Sequence, residues 1–223
     1  MSAGAPGGVV ALSWSGGKDS ALALWELHRA GTPPDALLTT VDEASGRVPH
    51  HGVTIELLRS QAAAAGLPLI EVGIPAGAAN PVYEARLLAA LEAARVAVVA
   101  FGDLFLADLR AYRESRLAGA GLQAHFPLWG RDTAALARTF VDGGFVATVV
   151  SVDESALDRS HLGRRFDHAF LDGLPAGVDP CGERGEFHTF VHAGPVLAQP
   201  LAVEPGAVRE VHGYPQQDLV LSG

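Results

Sequence analysis

Six residues, Ser15-Gly16-Gly17-Lys18-Asp19-Ser20, follow directly on the apolar run Val9-Val10-Ala11-Leu12-Ser13. Lys18 is the single lysine among sixteen basic residues; the other fifteen are arginines. A compact ammonium in place of a planar guanidinium suits a point contact with a phosphate oxygen. Two glycines let main-chain N–H groups approach a ligand without a Cβ in the way, and at the positive end of a helix they build an anion cradle. Ser15 and Ser20 add hydroxyl donors. Asp19 would be repelled by phosphate unless it holds Mg²⁺ or orients the loop, so it points to a metal–nucleotide complex. The spacing differs from the Walker loop, whose first glycine stands four residues ahead of Gly-Lys.

A second constellation is Asp179-Pro180-Cys181-Gly182-Glu183-Arg184-Gly185-Glu186-Phe187-His188-Thr189. The carboxylates of Glu183 and Glu186, three apart and flanked by glycines, suit binding of a cationic amine, positioning of ammonia, or general-base work. The alternatives are a solvated glycine-rich turn and a chemically mixed metal site from Cys181, Glu183, Glu186 and His188. Arg110, Arg113 and Arg116 form a helical stripe, read either as an anion contact or as a solvated face. His50-His51 is better read as a loop near a nucleotide than as a metal pair, because adjacent side chains diverge.

These residues need a scaffold, and apolar runs alternate with helical segments as in a doubly wound α/β parallel sheet. Strands are predicted over 9–13, 36–41, 67–72 and 96–101, with helices over about 19–30, 54–65 and 80–95. Asn80-Pro81 is the expected cap and first-turn pair of the last of these. Ligands in such sheets gather at the carboxyl ends of strands. Gly102 and Asp103 therefore share the cleft with the loop and with Ser13, Trp14 and Thr40, unless Asp103 caps a helix over 104–118. From about Leu128 a second, smaller α/β domain is expected, giving domains 1–127 and 128–223. It should hold a helix over 132–141, a strand over 145–152, a helix near 157–171 and an exposed strand over 186–191. A possible edge hairpin follows at 208–212 and 219–221.

Composition narrows the class. The 223 residues are 48% hydrophobic and 18% charged, enough for a real core and far from disorder. The start, Met1 to Gly8, lacks the basic end and apolar stretch of a signal peptide, which predicts a cytoplasmic protein. One cysteine, Cys181, excludes an internal disulfide. A formal charge of −9 argues against a nucleic-acid partner.

Ser-Gly-Gly-Lys-Asp-Ser resembles the PP-loop of the adenine-nucleotide alpha-hydrolases, which cut ATP between its α and β phosphates. Together with His51-Gly52-Val53, Phe126-Pro127-Leu128-Trp129-Gly130-Arg131-Asp132 and Cys181 to Thr189, it is similar to the diphthine–ammonia ligase family over nearly the whole chain. The diphthamide-making branch carries a Ser-Asp-Tyr-Gln-Arg-like stretch after the fourth strand. This chain has Gly102-Asp103-Leu104-Phe105 there, and so looks like the bacterial branch.

The resemblance implies ATP and Mg as cofactors and a universal-stress-like ATP-binding domain. It implies an acyl adenylate made from an unidentified carboxylate acceptor, then displaced by ammonia or an amine. Lys18, Asp19, Glu183 and Glu186 would be catalytic. Arg110, Arg113, Arg131, Asp132, Cys181 and Gly182 would serve the acceptor, with Asp132 read equally as a helix cap. A non-catalytic ATP sensor and a PP-loop sulfur transferase using Cys181 remain as alternatives, and a homo-oligomer is compatible with all of these.

Overall fold

A computed structural model describes residues 8–49, 51–211 and 213–222. The opening residues 1–7, His50 of the His pair and His212 of the hairpin lie outside them. Five parallel strands form the first sheet: β1 (Val9–Ser13), β2 (Ala36–Asp42), β3 (Leu69–Ile74), β4 (Val96–Ala100) and β5 (Gln123–His125), in the order β3-β2-β1-β4-β5. The order reverses beside β1, so the loop after β1 sits at a topological switch point, where open α/β sheets bind ligands.

Helices α1 (Lys18–Arg29) and α2 (Ile55–Ala65) join the first three strands, and α3 (Asn80–Ala93) and α4 (Ala107–Gly119) flank β4. Right-handed crossovers place the first pair on one face and the second pair on the other. The two apolar clusters follow this division. One gathers Leu12, Leu37 and Val41 with α1, α2 and the second sheet. The other gathers Ala11, Leu38, Val99 and Phe101 with Leu91 of α3 and Leu117 of α4. Neighbouring residues of a strand therefore serve opposite faces.

The second sheet is antiparallel, ordered β7-β6-β9-β8 from β6 (Val146–Val152), β7 (Phe187–Ala193), β8 (Val203–Val211) and β9 (Tyr214–Leu221). Helices α5 (Thr133–Asp142) and α6 (His168–Asp172) accompany it. No helix among the described residues is long and apolar enough to cross a membrane.

Several expectations change. The strand expected to be exposed at 186–191 is buried through Phe187, Thr189, Phe190 and Val191, because β7 lies between β6 and the first turn of α1. The helix expected over 157–171 is broken. Arg159–His161 make one 3-10 turn, Gly163 turns with φ +77°, and the chain then runs along β6, Phe166 N–H donating to Ala147 O, before α6. Asn80 lies inside α3, and Ala79 holds the cap position. The edge hairpin is longer than expected, β8 pairing with β9 over Val203–Leu221.

Candidate functional site

Trp14 to Gly17 connect β1 to α1, and three segments converge on them. Gln61 of α2, fully buried, accepts from Trp14 Nε1 (2.9 Å) and donates from Nε2 to Gly16 O (3.0 Å) and Val191 O (2.5 Å). Val191 N–H donates to Gly16 O (2.9 Å), and Lys18 N–H donates to Thr189 Oγ1 (3.1 Å). The loop is thus held to α2 and to β7 together. The glycines permit that closeness: a Cβ at Gly16, where φ is +80°, would lie 2.7 Å from Gln61 Oε1, and one at Gly17 would lie 2.6 Å from His51 Cε1. At both glycines the space a Cβ would take is filled by protein, so their lack of a side chain also serves the packing of the loop. The Lys18 amide is likewise taken by Thr189. Gly17 N–H reaches Ser15 Oγ at 3.3 Å, and Ser20 Oγ donates to Gly17 O at 2.9 Å.

The Lys18 side chain is 3% exposed, and its Nζ sits 2.8 Å from Asp19 Oδ2 and 5.3 Å from the Phe187 ring centroid. Burial is the strongest single influence and disfavours the ammonium, but the adjacent Asp19 carboxylate and further acidic groups, Glu183 among them, together hold Lys18 above the ordinary lysine value. Asp19 is pushed up by the same burial, against the pull of Lys18. It keeps 29% side-chain exposure, yet its Oδ1 is enclosed and has no hydrogen-bond partner among the described residues.

At the end of β4, a Cβ on Gly102 would come within 2.9 Å of the Asp19 carbonyl, so β4 and the first turn of α1 touch. Asp103 does not cap α4, which begins at Ala107 with Leu106 at its cap position. Asp103 pairs with Arg113 at 2.8 Å inside the cleft, and burial raises its carboxyl despite that arginine.

The loop between α6 and β7 gives its three carboxylates distinct tasks. Asp179 Oδ1 accepts from Cys181 N–H (2.9 Å), and its Oδ2 accepts from Thr133 Oγ1 (2.8 Å). Glu186 accepts from the amides of Asp179 and Arg184, both at 3.0 Å. Only Glu183 reaches across to the first sheet, accepting from Leu104 N–H at 2.7 Å. Burial pushes its carboxyl up to about 7 against that hydrogen bond, helped by the nearby Asp19. The expected pairing of Glu183 with Glu186 as two cleft carboxylates is therefore not what the structure brings together. Glu186 is 6% exposed and braces the loop.

A cleft of about 550 Å³ joins these parts. Ser13, Trp14, Ser15, Lys18, Asp19, Ser20, Thr40, Gly102, Asp103, Arg113, Gly182 and Glu183 line it, as do Thr39, His51, His188 and Thr189. Other expected contacts lie elsewhere. Arg110 stacks over Phe126 and Trp129, 4.9 and 4.7 Å from their centroids, and pairs with Glu114. Arg131 pairs with Glu26 at 3.2 Å, and Asp132 caps α5 by accepting from Ala135 N–H. The Pro-Leu-Trp-Gly-Arg-Asp stretch is thus a strap, whose Gly130 N–H holds Leu104 O at 2.8 Å. Cys181 is buried and donates to Thr133 O, and burial pushes its thiol well up. No three or more His, Cys, Asp or Glu side chains gather as a metal site among the described residues, which removes the mixed Cys–Glu–His site.

Gln61 and Thr39 are absent from the expected contacts, and Asp179 and Thr189, named within the second constellation, had no role assigned. Gln61 had a readable signal, an amide on the inward stripe of an alanine- and leucine-rich helix. Thr39 had none, because β2 reads as a plain buried strand.

Sequence comparison places the chain. The profile of the Diphthamide synthase N-terminal domain matches residues 8–123, which include the loop and the first sheet, and that of the Diphthamide synthase C-terminal domain matches residues 132–215. The chain belongs to the diphthamide synthase family. Membership implies an ATP-dependent ligase that uses ATP and ammonia. Compared with curated proteins, the chain has no match.

Proposed function

We propose that this member of the family is a ligase of the ATP pyrophosphatase type. A carboxylate oxygen of the acceptor attacks the α-phosphorus of ATP, and the bond to the bridging oxygen breaks, releasing pyrophosphate. Ammonia or an amine then attacks the acyl carbon, and AMP departs with the carbon–oxygen electron pair. The observation that carries this reading is the buried Lys18 ammonium at the switch point, held beside Asp19 and opposite Glu183.

Lys18 neutralises charge as it develops on the leaving pyrophosphate, with Ser15 and Ser20 hydroxyls beside it; loss of one such donor commonly costs about a hundredfold or more in rate. Asp19 Oδ1, enclosed and without a hydrogen-bond partner among the described residues, fits a divalent cation carried in with the nucleotide, and Mg²⁺ bound there would supply charge neutralisation on the phosphates. Glu183 takes the proton that the attacking amine sheds, a role suited to a carboxyl titrating near neutrality. Sulfur transfer is disfavoured, since a buried Cys181 with a raised thiol pKa is a poor nucleophile.

The test is to incubate the protein with Mg-ATP, ammonium and a small-molecule extract and follow phosphorus products by NMR. AMP and pyrophosphate, absent with Lys18→Ala, support the ligase. Binding of ATP with no turnover in any extract would leave a sensor as the better reading.

A further inference from the structure

The cleft has two unlike sides, set by strand alternation. Leu38 packs with the α3–α4 cluster, and Thr40, two residues on, shares its face. On that side the lining is largely apolar, with Tyr83, Leu87, Leu91, Val99 and Phe101, a surface suited to a nucleotide base. Thr39 points the other way, with Leu37 and Val41 of the opposite cluster, toward the side that holds Lys18, His51, His188 and Thr189. Thr39 is 3% exposed, lines the cleft, and its Oγ1 finds no hydrogen-bond partner among the described residues. A buried hydroxyl left unpaired is destabilising, and such a group in a cleft wall is accounted for when a ligand atom completes it.

We infer that Thr39 is a substrate-binding residue, its hydroxyl donating to a carboxyl oxygen of the acceptor. The acceptor then lies on the polar side of the cleft, along the wall lined by Lys18, Glu183 and His188, with the nucleotide base on the apolar side. This rests on the ligase reading, in which the acceptor presents a carboxylate to the α-phosphate. The chemistry of that side selects a polar carboxylate in preference to one carrying a large apolar tail. An ionised acceptor oxygen strengthens the bond from Thr39, and the carbonyl oxygen retained after adenylation keeps it.

The probe is 5′-O-(N-acetylsulfamoyl)adenosine, a stable mimic of an acyl adenylate, with AMP as reference. Wild-type protein should hold the mimic far more tightly than AMP. Thr39→Val should weaken the mimic about tenfold, as expected for one hydrogen bond to a polar ligand. AMP binding should be unchanged, and Thr39→Ser should restore the mimic. Thermal unfolding of the unliganded Thr39→Val protein should occur at the wild-type temperature or above, because no protein hydrogen bond is lost. A merely structural threonine would instead lower the unfolding temperature and leave the ratio of the two affinities alone, and that result overturns the inference. If Thr39→Val weakens AMP equally, Thr39 belongs to the nucleotide and the assignment to the acceptor is wrong. If wild-type protein does not prefer the mimic over AMP, it is the ligase reading that fails.

Discussion

Gln61→Met removes the amide that ties the loop to two other segments while nearly conserving volume. Trp14 is 2% exposed, so its indole N–H loses its acceptor in a dry place, which costs about 1–3 kcal/mol. The donations to Gly16 O and Val191 O disappear too, at about 1 kcal/mol each, although Gly16 O still accepts from Val191 N–H. The total is about 3–5 kcal/mol, a large part of a typical stability of about 5–15 kcal/mol. In urea, with a slope of about 1–3 kcal/mol per molar, the midpoint should fall by about 1 M or more. The same change frees the Gly16-Gly17 main chain, so KM for ATP in a pyrophosphate-release assay should rise more than kcat falls. Gln61→Glu separates the contributions. It keeps an acceptor for Trp14 but turns an oxygen toward two carbonyls unless it is protonated. Its folded pKa is then raised, so its stability is present below the free glutamate value of about 4.3 and is lost as pH rises above it. A Gln61→Met protein with the wild-type midpoint and KM would refute the reasoning.

Lys18→Ala should lower pyrophosphate release at least about a hundredfold, with the fold intact by circular dichroism. Glu183 should set an acidic limb in kcat/KM: as a base it works deprotonated, so the rate per unit of free ammonia rises as pH passes about 7. Glu183→Gln should remove that limb along with most activity, and a limb that survives would assign it to another group. Cys181→Ser should retain turnover, and thiol-reactive reagents should label native protein slowly, since the thiol is enclosed and held in its protonated form. Asp179→Asn should lower thermal stability more than it alters the pH profile, because Asp179 holds the loop through Thr133 and Cys181 rather than facing the cleft. A shifted pH limb with unchanged stability would reverse the roles of Asp179 and Glu183.

The first sheet was legible because its signals are local. Short β-branched runs between longer amphipathic segments are properties of consecutive residues, and the glycine pair ahead of Lys18 needs no distant partner to be read as a loop between strand and helix. The family too is written in short stretches that keep their spacing. The second sheet was less legible. The segment 157–171 has helical composition, but it forms one turn and then runs beside β6, because distant backbone groups of Ala147 and Val149 take its hydrogen bonds. The site divides along the same line. Residue types alone marked Lys18, Asp19 and Glu183 as groups able to do chemistry. Nothing in their spacing distinguishes Glu183 from Glu186, and only folding turns one carboxylate to Leu104 across the cleft while the other is consumed by its own loop. Arg131 and Asp132 look like site residues in the chain and become a strap and a cap in space. The sequence by itself determines which chemistry is present. Which groups face the cleft, how strongly burial shifts them and which hydroxyl is left without a partner depend on contacts between residues as far apart as Lys18 and Thr189, and those exist only once both sheets have packed.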